Sequence, residues 1–163
     1  MSDDFERWAK AHYLDASALV KLVIDSPEEK DGRESLRRYV YSNSSFYTTS
    51  LCFAEALGVI KVKYWNKKKI SMEQYLYAFC RLYNFTINEV PIGASYPEME
   101  RIVRLYNIDV ADAMQIVTLK NGMFSALGQG SKTILITADK ALAEAADKEG
   151  LRVWNCKKEP WPK

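Results

Sequence analysis

Near the C-terminal end of the chain, residues 133–137 (Thr-Ile-Leu-Ile-Thr) form an uncharged segment that is apolar on both faces of an extended strand. A strand of this kind must be covered on both sides, and in parallel sheets helices provide the cover. Other strand-like segments recur along the sequence and alternate with segments of helical periodicity. The alternation predicts an α/β protein: a three-layer α/β/α sandwich around a central, mostly parallel sheet.

The predicted strands and helices cover most of the chain. Strands are expected at residues 11–15, 46–49, 86–91, 133–137 and 151–154. Helices are expected at residues 16–24, 26–41, 50–64, 71–83, 95–106, 110–121 and 139–148, and those starting at 26, 71 and 95 open on a serine cap. The Gly-rich segment 122–132 is predicted to be a loop. Since 163 residues suit one compact domain, we expect a single domain over 1–163, with its core at about 11–155.

No segment of the sequence has the pattern of a membrane span or a signal peptide. The longest apolar runs, such as residues 18–24, are far shorter than the roughly 20 residues that cross a bilayer. The first residues carry charges of both signs, which does not fit a signal peptide. We therefore expect a cytoplasmic protein that does not associate with membranes.

The charged residues are balanced in number but unevenly placed. With 23 basic and 21 acidic residues the net charge is +2, which does not by itself indicate a nucleic-acid binder. Five lysines nevertheless fall within nine positions: Lys61, Lys63, Lys67, Lys68 and Lys69. With exposed aromatics among Tyr64, Trp65 and Tyr75, this group could bind a nucleic-acid backbone and stack bases, or it could be a solvated helix face or part of a dimer face.

Cysteine and histidine are too few for several kinds of site. The three cysteines have no zinc-finger spacing, and Cys52 and Cys80 lie in apolar stretches where we expect core positions. His12 is the single histidine, which excludes a zinc site with several imidazole ligands. It also has no obvious serine or cysteine partner for nucleophilic catalysis. Carboxylates are the remaining candidates.

Four acidic residues occupy positions that suit a site. Asp15 ends the first predicted strand, and Asp139 follows the strand ending at residue 137 by two residues, although either could simply cap a helix. Glu55 is the only charge in the stretch 51–60. Asp112 lies in the first turn of an apolar helix, whose N-cap we assign to Asp109. In open parallel sheets, ligands bind at the carboxyl ends of the strands, where Asp15 and Asp139 are expected.

An all-oxygen cluster favours a hard divalent cation. Mg²⁺ and Mn²⁺ take oxygen ligands, whereas zinc and copper prefer nitrogen and sulfur. Two carboxylates about 4 Å apart repel by roughly 4 kcal/mol at an effective dielectric of about 20, so converging carboxylates call for protonation or a cation. We expect Asp15, Asp112 and Glu55 to hold a catalytic Mg²⁺ or Mn²⁺ ion, with Asp139 completing the cluster. The hydroxyls of Ser17 and Thr137 are candidates for hydrogen bonds that support the carboxylates, or else are ordinary turn and cap hydroxyls.

Four sequence segments, in order, resemble the motifs of PIN-domain proteins. They are Tyr13-Leu-Asp-Ala-Ser-Ala-Leu-Val-Lys-Leu22, Ser50-Leu-Cys-Phe-Ala-Glu-Ala-Leu57, Val110-Ala-Asp-Ala-Met-Gln-Ile116 and Ile134-Leu-Ile-Thr-Ala-Asp-Lys-Ala-Leu142. Within that family the sequence is most similar to VapC-type toxins. The resemblance implies a metal-dependent endoribonuclease that hydrolyses RNA phosphodiester bonds with Mg²⁺ or Mn²⁺ at these acids, acts as the toxin of a toxin–antitoxin pair, forms a homodimer and is blocked by a protein antitoxin.

Two other functions are compatible with an α/β fold that carries acidic residues. A catalytically silent PIN-like module would keep the fold and bind RNA or protein without cleaving. A phosphoacceptor receiver domain would place an acidic pair at the end of the first strand. No acidic residue adjoins Asp15, and Glu55 within an apolar helix does not fit a receiver.

Overall fold

The structure, a computed structural model, describes residues 11–85, 90–93, 95–121 and 133–158. Within these residues four strands form one sheet in the order β2-β1-β3-β4, and every neighbouring pair is parallel. The strands are β1 (Ala11–Leu14), β2 (Phe46–Tyr47), β3 (Thr133–Thr137) and β4 (Arg152–Asn155). The predicted fold class is confirmed, because a parallel sheet flanked by helices is what the sequence pattern indicates.

The helices follow the predicted positions closely. They are α1 (Ala16–Val23), α2 (Arg33–Ser42), α3 (Ser50–Val59), α4 (Met72–Phe85), α5 (Tyr96–Tyr106), α6 (Val110–Asn121) and α7 (Lys140–Lys148). Helix α3 continues into a π-helical segment, Ile60–Trp65. The predicted loop at 122–132 and residues 86–89 of the predicted strand lie outside the described residues. Residues 90 and 91 of the predicted strand are not in a strand, although the Val90 backbone N–H donates to the carbonyl of Thr48.

Two strands lead into their helices through aspartate caps. Asp15 follows β1 directly, and its carboxylate accepts from the Ala18 N–H at 2.8 Å. Asp139 follows β3 by two residues and accepts from the Leu142 N–H at 3.0 Å. Since β1 and β3 are parallel neighbours with Leu14 opposite Ile136, both aspartates lie at the same edge of the sheet.

The segment expected to be one helix over 26–41 is divided into two. Ser26 caps a short 3-10 turn, Pro27–Glu29, and α2 starts only at Arg33. Between them Gly32 has a φ of 74°, a left-handed conformation that an α-helix does not continue through. The serine-cap prediction for the helix at 95 is also wrong in detail, because Ser95 takes the N-cap position without a side-chain capping hydrogen bond.

A hydrophobic core fills the space between the sheet and the helices. Tyr13, Leu14 and Trp154 are fully buried on the strands, and α1, α3 and α7 contribute buried leucine and alanine side chains. Cys52 is buried as expected, but Cys80 is exposed and the core prediction for it is wrong. The sequence around Cys80 is apolar, but the outer face of α4 is apolar as well, so apolar neighbours do not indicate burial there.

Among the helices that the structure describes, none has the length and apolar character needed to cross a membrane.

Candidate acidic site

An open cleft of about 350 Å³ lies at the carboxyl edge of β1 and β3. All four carboxylates proposed from the sequence line it: Asp15, Glu55, Asp112 and Asp139. They come from four different parts of the chain: the end of β1, helix α3, helix α6 and the turn before α7. The order of the strands and the packing of α3 and α6 over this edge bring them to one cavity.

Asp15 is the most deeply buried of the four, with 3% of its surface exposed. Its carboxylate accepts hydrogen bonds from the Ala18 N–H, from the Ser17 hydroxyl at 2.8 and 2.9 Å, and from the Thr137 hydroxyl at 2.8 Å. Burial raises the pKa of Asp15 to about 6, and these hydrogen bonds act in the opposite direction. Asp15 is thus a helix cap and a cleft residue at once, so the two alternatives drawn from the sequence do not exclude each other.

The hydroxyls of Ser17 and Thr137 connect Asp15 to the turn that carries Asp139. Ser17 Oγ accepts from the Ala138 N–H at 2.8 Å while it donates to Asp15. Thr137 Oγ1 accepts from the Asp139 N–H at 2.9 Å while it donates to Asp15. Each hydroxyl therefore fixes a carboxylate and a backbone amide together, which orients Asp15 relative to Asp139.

Asp112 has the most strongly raised pKa of the acids in the cleft. Burial raises this pKa to about 7, with further contributions from the charges of Asp109, Asp139, Asp15 and Glu55. Glu55, which is half-buried, has a pKa raised by burial and then by Asp109 and Asp15. The neighbouring carboxylates therefore add to burial in making ionisation of Asp112 and Glu55 less favourable.

Asp109 has a larger part in the cleft than the sequence indicated. It is the N-cap of α6, as predicted, because its carboxylate accepts from the Asp112 N–H at 2.8 Å. It also lines the cleft, and among the neighbouring charges it contributes most to the raised pKa of both Glu55 and Asp112, after burial itself. Its spacing from Asp112 was the available signal, since residues three apart at a helix start lie on the same side.

Sequence reasoning missed Gln115, which lines the cleft one turn beyond Asp112. Its side chain is 2% exposed, and among the described residues its Oε1 atom has no hydrogen-bond partner. A buried amide oxygen without a partner is unfavourable unless water or a ligand bonds to it. The signal in the sequence was a glutamine between Met114 and Ile116 in an otherwise apolar part of α6.

The side chains of the cleft offer oxygen donors, which suit a hard cation, but they do not form a closed ligand shell. Within the described ranges, no three His, Cys, Asp or Glu side chains are placed as a group that could hold a metal ion. Mg²⁺ keeps several waters and needs only one or two protein carboxylates, so a closed shell is not required. Oxygen-only donors, raised carboxyl pKa values and the unpartnered Gln115 oxygen are the features that a divalent cation with bound water would satisfy.

Ion pairs occupy part of the lysine group, which lies in the π-helical segment after α3 and in the turn that follows it. Lys63 pairs with Glu29 at 3.2 Å and with Glu28 at 3.4 Å, and Lys69 also pairs with Glu28. The side chains of Lys61, Lys67 and Lys68 are exposed.

The expected aromatic exposure beside the lysine group is wrong for Tyr64. That side chain is fully buried, and its hydroxyl donates to Glu29. Trp65 and Tyr75 are half-buried and stack on each other with ring centroids 4.7 Å apart. Glu29 holds the 3-10 turn against the π-helical segment through its hydrogen bonds with Lys63 and Tyr64, and the tyrosine is buried at this contact.

His12 belongs to the core and not to the cleft lining. Its Nε2 is 2.8 Å from the Tyr39 hydroxyl, and its Nδ1 is 3.0 Å from the carbonyl of Ser44. Burial lowers the pKa of His12 and so disfavours the charged imidazolium.

Comparison with known proteins identifies the family. A family model described as PIN domain matches residues 12–148. One solved structure with a similar fold is the crystal structure of PAE2754 from Pyrobaculum aerophilum, with a TM-score of 0.53 and 17% identity, covering 84% of this chain and 85% of that chain. At that identity the likeness concerns the fold alone.

A search of curated proteins found no match. PIN domains are generally nuclease domains that bind nucleic acids and typically use divalent metal ions. Since the family model spans most of the chain, this protein belongs to the PIN-domain family.

Proposed function

We propose that the protein is a metal-dependent endoribonuclease that hydrolyses RNA phosphodiester bonds in the acidic cleft. The observation that carries this proposal is the convergence of Asp15, Glu55, Asp112 and Asp139, from four separate parts of the chain, in one cleft. Burial and the neighbouring carboxylates together raise the pKa of Asp112 to about 7, which is consistent with this crowding. Such a cluster destabilises the folded chain unless protons or a cation neutralise it. A cavity that concentrates negative charge is suited to a divalent cation, and the cation allows a phosphodiester to approach.

Each side chain has a role in this proposal. Asp15, Asp112 and Glu55 would hold the ion, directly or through water, and Asp139 would complete the cluster. A bound Mg²⁺ or Mn²⁺ ion supplies neutralisation of the phosphate charge and activation of water. Ser17 and Thr137 orient the Asp15 carboxylate through the hydrogen bonds they donate. Gln115 Oε1, which is buried and without a partner among the described residues, would accept a hydrogen bond from a water that enters beside it. In the reaction a water oxygen bonds to phosphorus, the bond from phosphorus to the leaving ribose oxygen breaks, and the proton that the water loses is balanced by one taken up by that oxygen, which leaves as a hydroxyl.

The test is calorimetric titration of Mn²⁺ into wild type and Asp15→Asn, followed by incubation of both with a mixed pool of structured RNA. We expect binding and cleavage by wild type and loss of both in the variant. Asp147→Asn is the matched control, because Asp147 is an exposed acid that lines a different surface depression, between α7 and β4. Loss of metal binding in the control as well would show that the effect is not specific to the cleft.

The alternative, a catalytically silent PIN-like module that binds RNA or protein, gives a different result in the same experiment. A silent module would bind RNA without cleaving it at any Mn²⁺ concentration. The presence of all four acids in one cleft supports the catalytic proposal over this alternative. Wild type that binds neither Mn²⁺ nor RNA would overturn the nuclease proposal.

We also propose that the protein is a toxin of the VapC type acting in the cytoplasm, on the basis of its four motifs. Its three free cysteines suit a reducing compartment. Induced expression in a bacterial host should stop growth, and Asp15→Asn should restore it. Normal growth on expression of soluble wild-type protein would count against the toxin role.

A homodimer is the assembly we propose, and the outer face of α4 supports it. Met72, Leu76, Phe79 and Tyr83 recur at helical spacing, and each is at least 37% exposed. The stripe is uncharged, so two copies can pack it about a twofold axis without placing like charges together. Light scattering should give a dimer for wild type and a monomer for Leu76→Glu. A monomeric wild type that becomes a heterodimer with a co-expressed small protein would assign the stripe to an antitoxin instead.

A further inference from the structure

Three lysines line the acidic cleft, and two of them are already neutralised. Lys21 is 1% exposed, and its ammonium donates to the carbonyl of Glu29 at 3.0 Å and to the Glu29 carboxylate at 3.3 Å. Lys63 pairs with Glu28 and with the same Glu29. Both cations are therefore used in holding the 3-10 turn beside the cleft, and neither offers a free charge to an anion.

Lys157 is the third lysine of the cleft, and it differs from the other two. Its side chain is exposed, and no ion pair with it occurs among the residues that the structure describes. It belongs to the turn after β4, whose neighbour Lys158 lines a separate depression on the other side. The two adjacent lysines thus line different surfaces, and of the two only Lys157 lines the acidic cleft.

The turn that carries Lys157 is fixed to the strand end that supports Asp15. The Cys156 N–H donates to the carbonyl of Thr137 at 2.9 Å, and the hydroxyl of Thr137 holds the Asp15 carboxylate. The Lys157 N–H donates to Asn155 Oδ1 at 3.2 Å. The backbone beneath the lysine is therefore held in place relative to the acidic cluster.

Close contact with Gly32 fixes the other side of this turn. A Cβ atom at position 32 would lie 1.7 Å from the carbonyl oxygen of Cys156 and 3.0 Å from the Cα of Lys157. Only glycine allows the start of α2 to approach the turn so closely, and its φ of 74° also favours glycine. Contacts on both sides of the turn therefore fix the backbone of Lys157 at the cleft.

We propose that the ammonium group of Lys157 binds a phosphate of the RNA backbone that enters the cleft. Seven acidic side chains and only three lysines line the cleft among the described residues, so an incoming phosphate meets a mostly negative surface. A lysine without an ion pair among the described residues supplies a positive charge for that phosphate at the proposed metal-dependent site. The inference rests on the proposed ribonuclease function, and it assigns RNA contact to Lys157 rather than to the lysine group at residues 61–69.

The test measures RNA binding by wild type, Lys157→Gln, Lys157→Arg and the matched control Lys158→Gln. The probe is a fluorescently labelled, mixed-sequence single-stranded RNA, followed by anisotropy with Ca²⁺ as the divalent ion over a range of salt concentrations. For single strands, each phosphate contact steepens the decrease of log affinity with log salt by about 0.7. One contact therefore makes the affinity at 0.1 M salt about fivefold higher relative to that at 1 M salt. We expect Lys157→Gln to lose this increment of slope and of affinity, while Lys157→Arg and Lys158→Gln retain both.

The outcomes separate this inference from the proposed function. Equal slopes for Lys157→Gln and Lys158→Gln, with RNA binding intact, would overturn the Lys157 contact and leave the nuclease proposal standing. RNA binding that depends on Lys157 without cleavage in Mn²⁺ would support the contact and count against catalysis. Wild type that binds no RNA would overturn both.

Discussion

The hydroxyl of Thr137 donates a 2.8 Å hydrogen bond to the carboxylate of Asp15 across 122 residues of sequence. The same oxygen accepts from the N–H of Asp139, so one threonine joins two acids of the cleft. The contact exists because β1 and β3 are parallel neighbours, with Leu14 opposite Ile136, and the two strands therefore end at the same edge of the sheet. It links the N-terminal and C-terminal motifs directly.

Thr137→Val should weaken both stability and cleavage. Valine has the shape of threonine but lacks the hydroxyl, so the Asp139 N–H loses its acceptor and Asp15 loses a donor. We expect a loss of about 1–3 kcal/mol in the free energy of unfolding, measured with urea, together with weaker Mn²⁺ binding. Thr137→Ser keeps the hydroxyl and should retain most metal affinity. Wild-type metal affinity in Thr137→Val would show that the hydroxyl does not position Asp15.

Stability without metal should fall as the pH rises from about 4 to about 7. Folding raises the pKa of Asp15 to about 6 and that of Asp112 to about 7 from a usual value of 3.8. In that range the folded chain binds more protons at these groups than the unfolded chain, so their contribution to stability is lost with rising pH. Burial lowers the pKa of His12, so at pH values below its usual pKa of 6.5 the contribution of His12 to stability rises with pH. The measurement is therefore the difference in melting temperature between wild type and Asp112→Asn in EDTA at each pH.

That difference should grow with pH, with Asp112→Asn the more stable protein at pH values above the pKa of about 7. Mn²⁺ affinity of wild type should rise over the same range, because a metal ligand must be deprotonated. A difference in melting temperature that does not change with pH would show that Asp112 does not titrate in this range.

Gln115→Met should stabilise the protein while it reduces cleavage. Methionine is similar in size to glutamine and leaves no buried amide oxygen unpaired, so we expect a gain of up to about 1 kcal/mol in the metal-free protein. Cleavage should decrease, because the cleft loses an acceptor for a bound water. Thermal melts and initial rates on the RNA pool measure the two effects. A variant that is less stable than wild type would indicate that Gln115 Oε1 is hydrogen-bonded in solution.

Gly32→Ala should destabilise the fold strongly. A Cβ at this position would lie 1.7 Å from the Cys156 carbonyl oxygen, and the φ of 74° is strained for alanine. We expect a loss of more than about 2 kcal/mol, from the strained backbone and the forced separation of α2 from the Lys157 turn. Gly58→Ala is the matched control, because nothing lies within 4 Å of its added Cβ on α3. The control should gain about 0.5–1 kcal/mol from helix propensity.

Much of the fold is determined by local features that are visible in the sequence. Apolar strand segments, aspartate caps at residues 15 and 139, and the reciprocal Ser71–Gln74 cap all depend on neighbours within a few residues. The parallel arrangement follows from strands that are apolar on both faces and separated by helices. The four acidic residues could therefore be named as candidates before any contact was known.

Other features were decided only when distant segments packed together. Asp109 and Gln115 face the cleft because of the orientation of α6, and no local pattern distinguishes that face from another. Tyr64 is buried because the carboxylates of a 3-10 turn 35 residues earlier fold against it, whereas Cys80 lies on a helix face that no other described element covers.

The sequence alone thus determined which residues could supply the chemistry and how each segment folds locally. Tertiary structure decided which of them share a cavity, and it set their burial and hence their pKa values. It also brought the turn that carries Lys157 against Gly32 and into the lining of the cleft. The physical reason is range: capping and periodicity act over one or two helical turns, whereas burial and electrostatic coupling depend on segments that meet only in the folded chain.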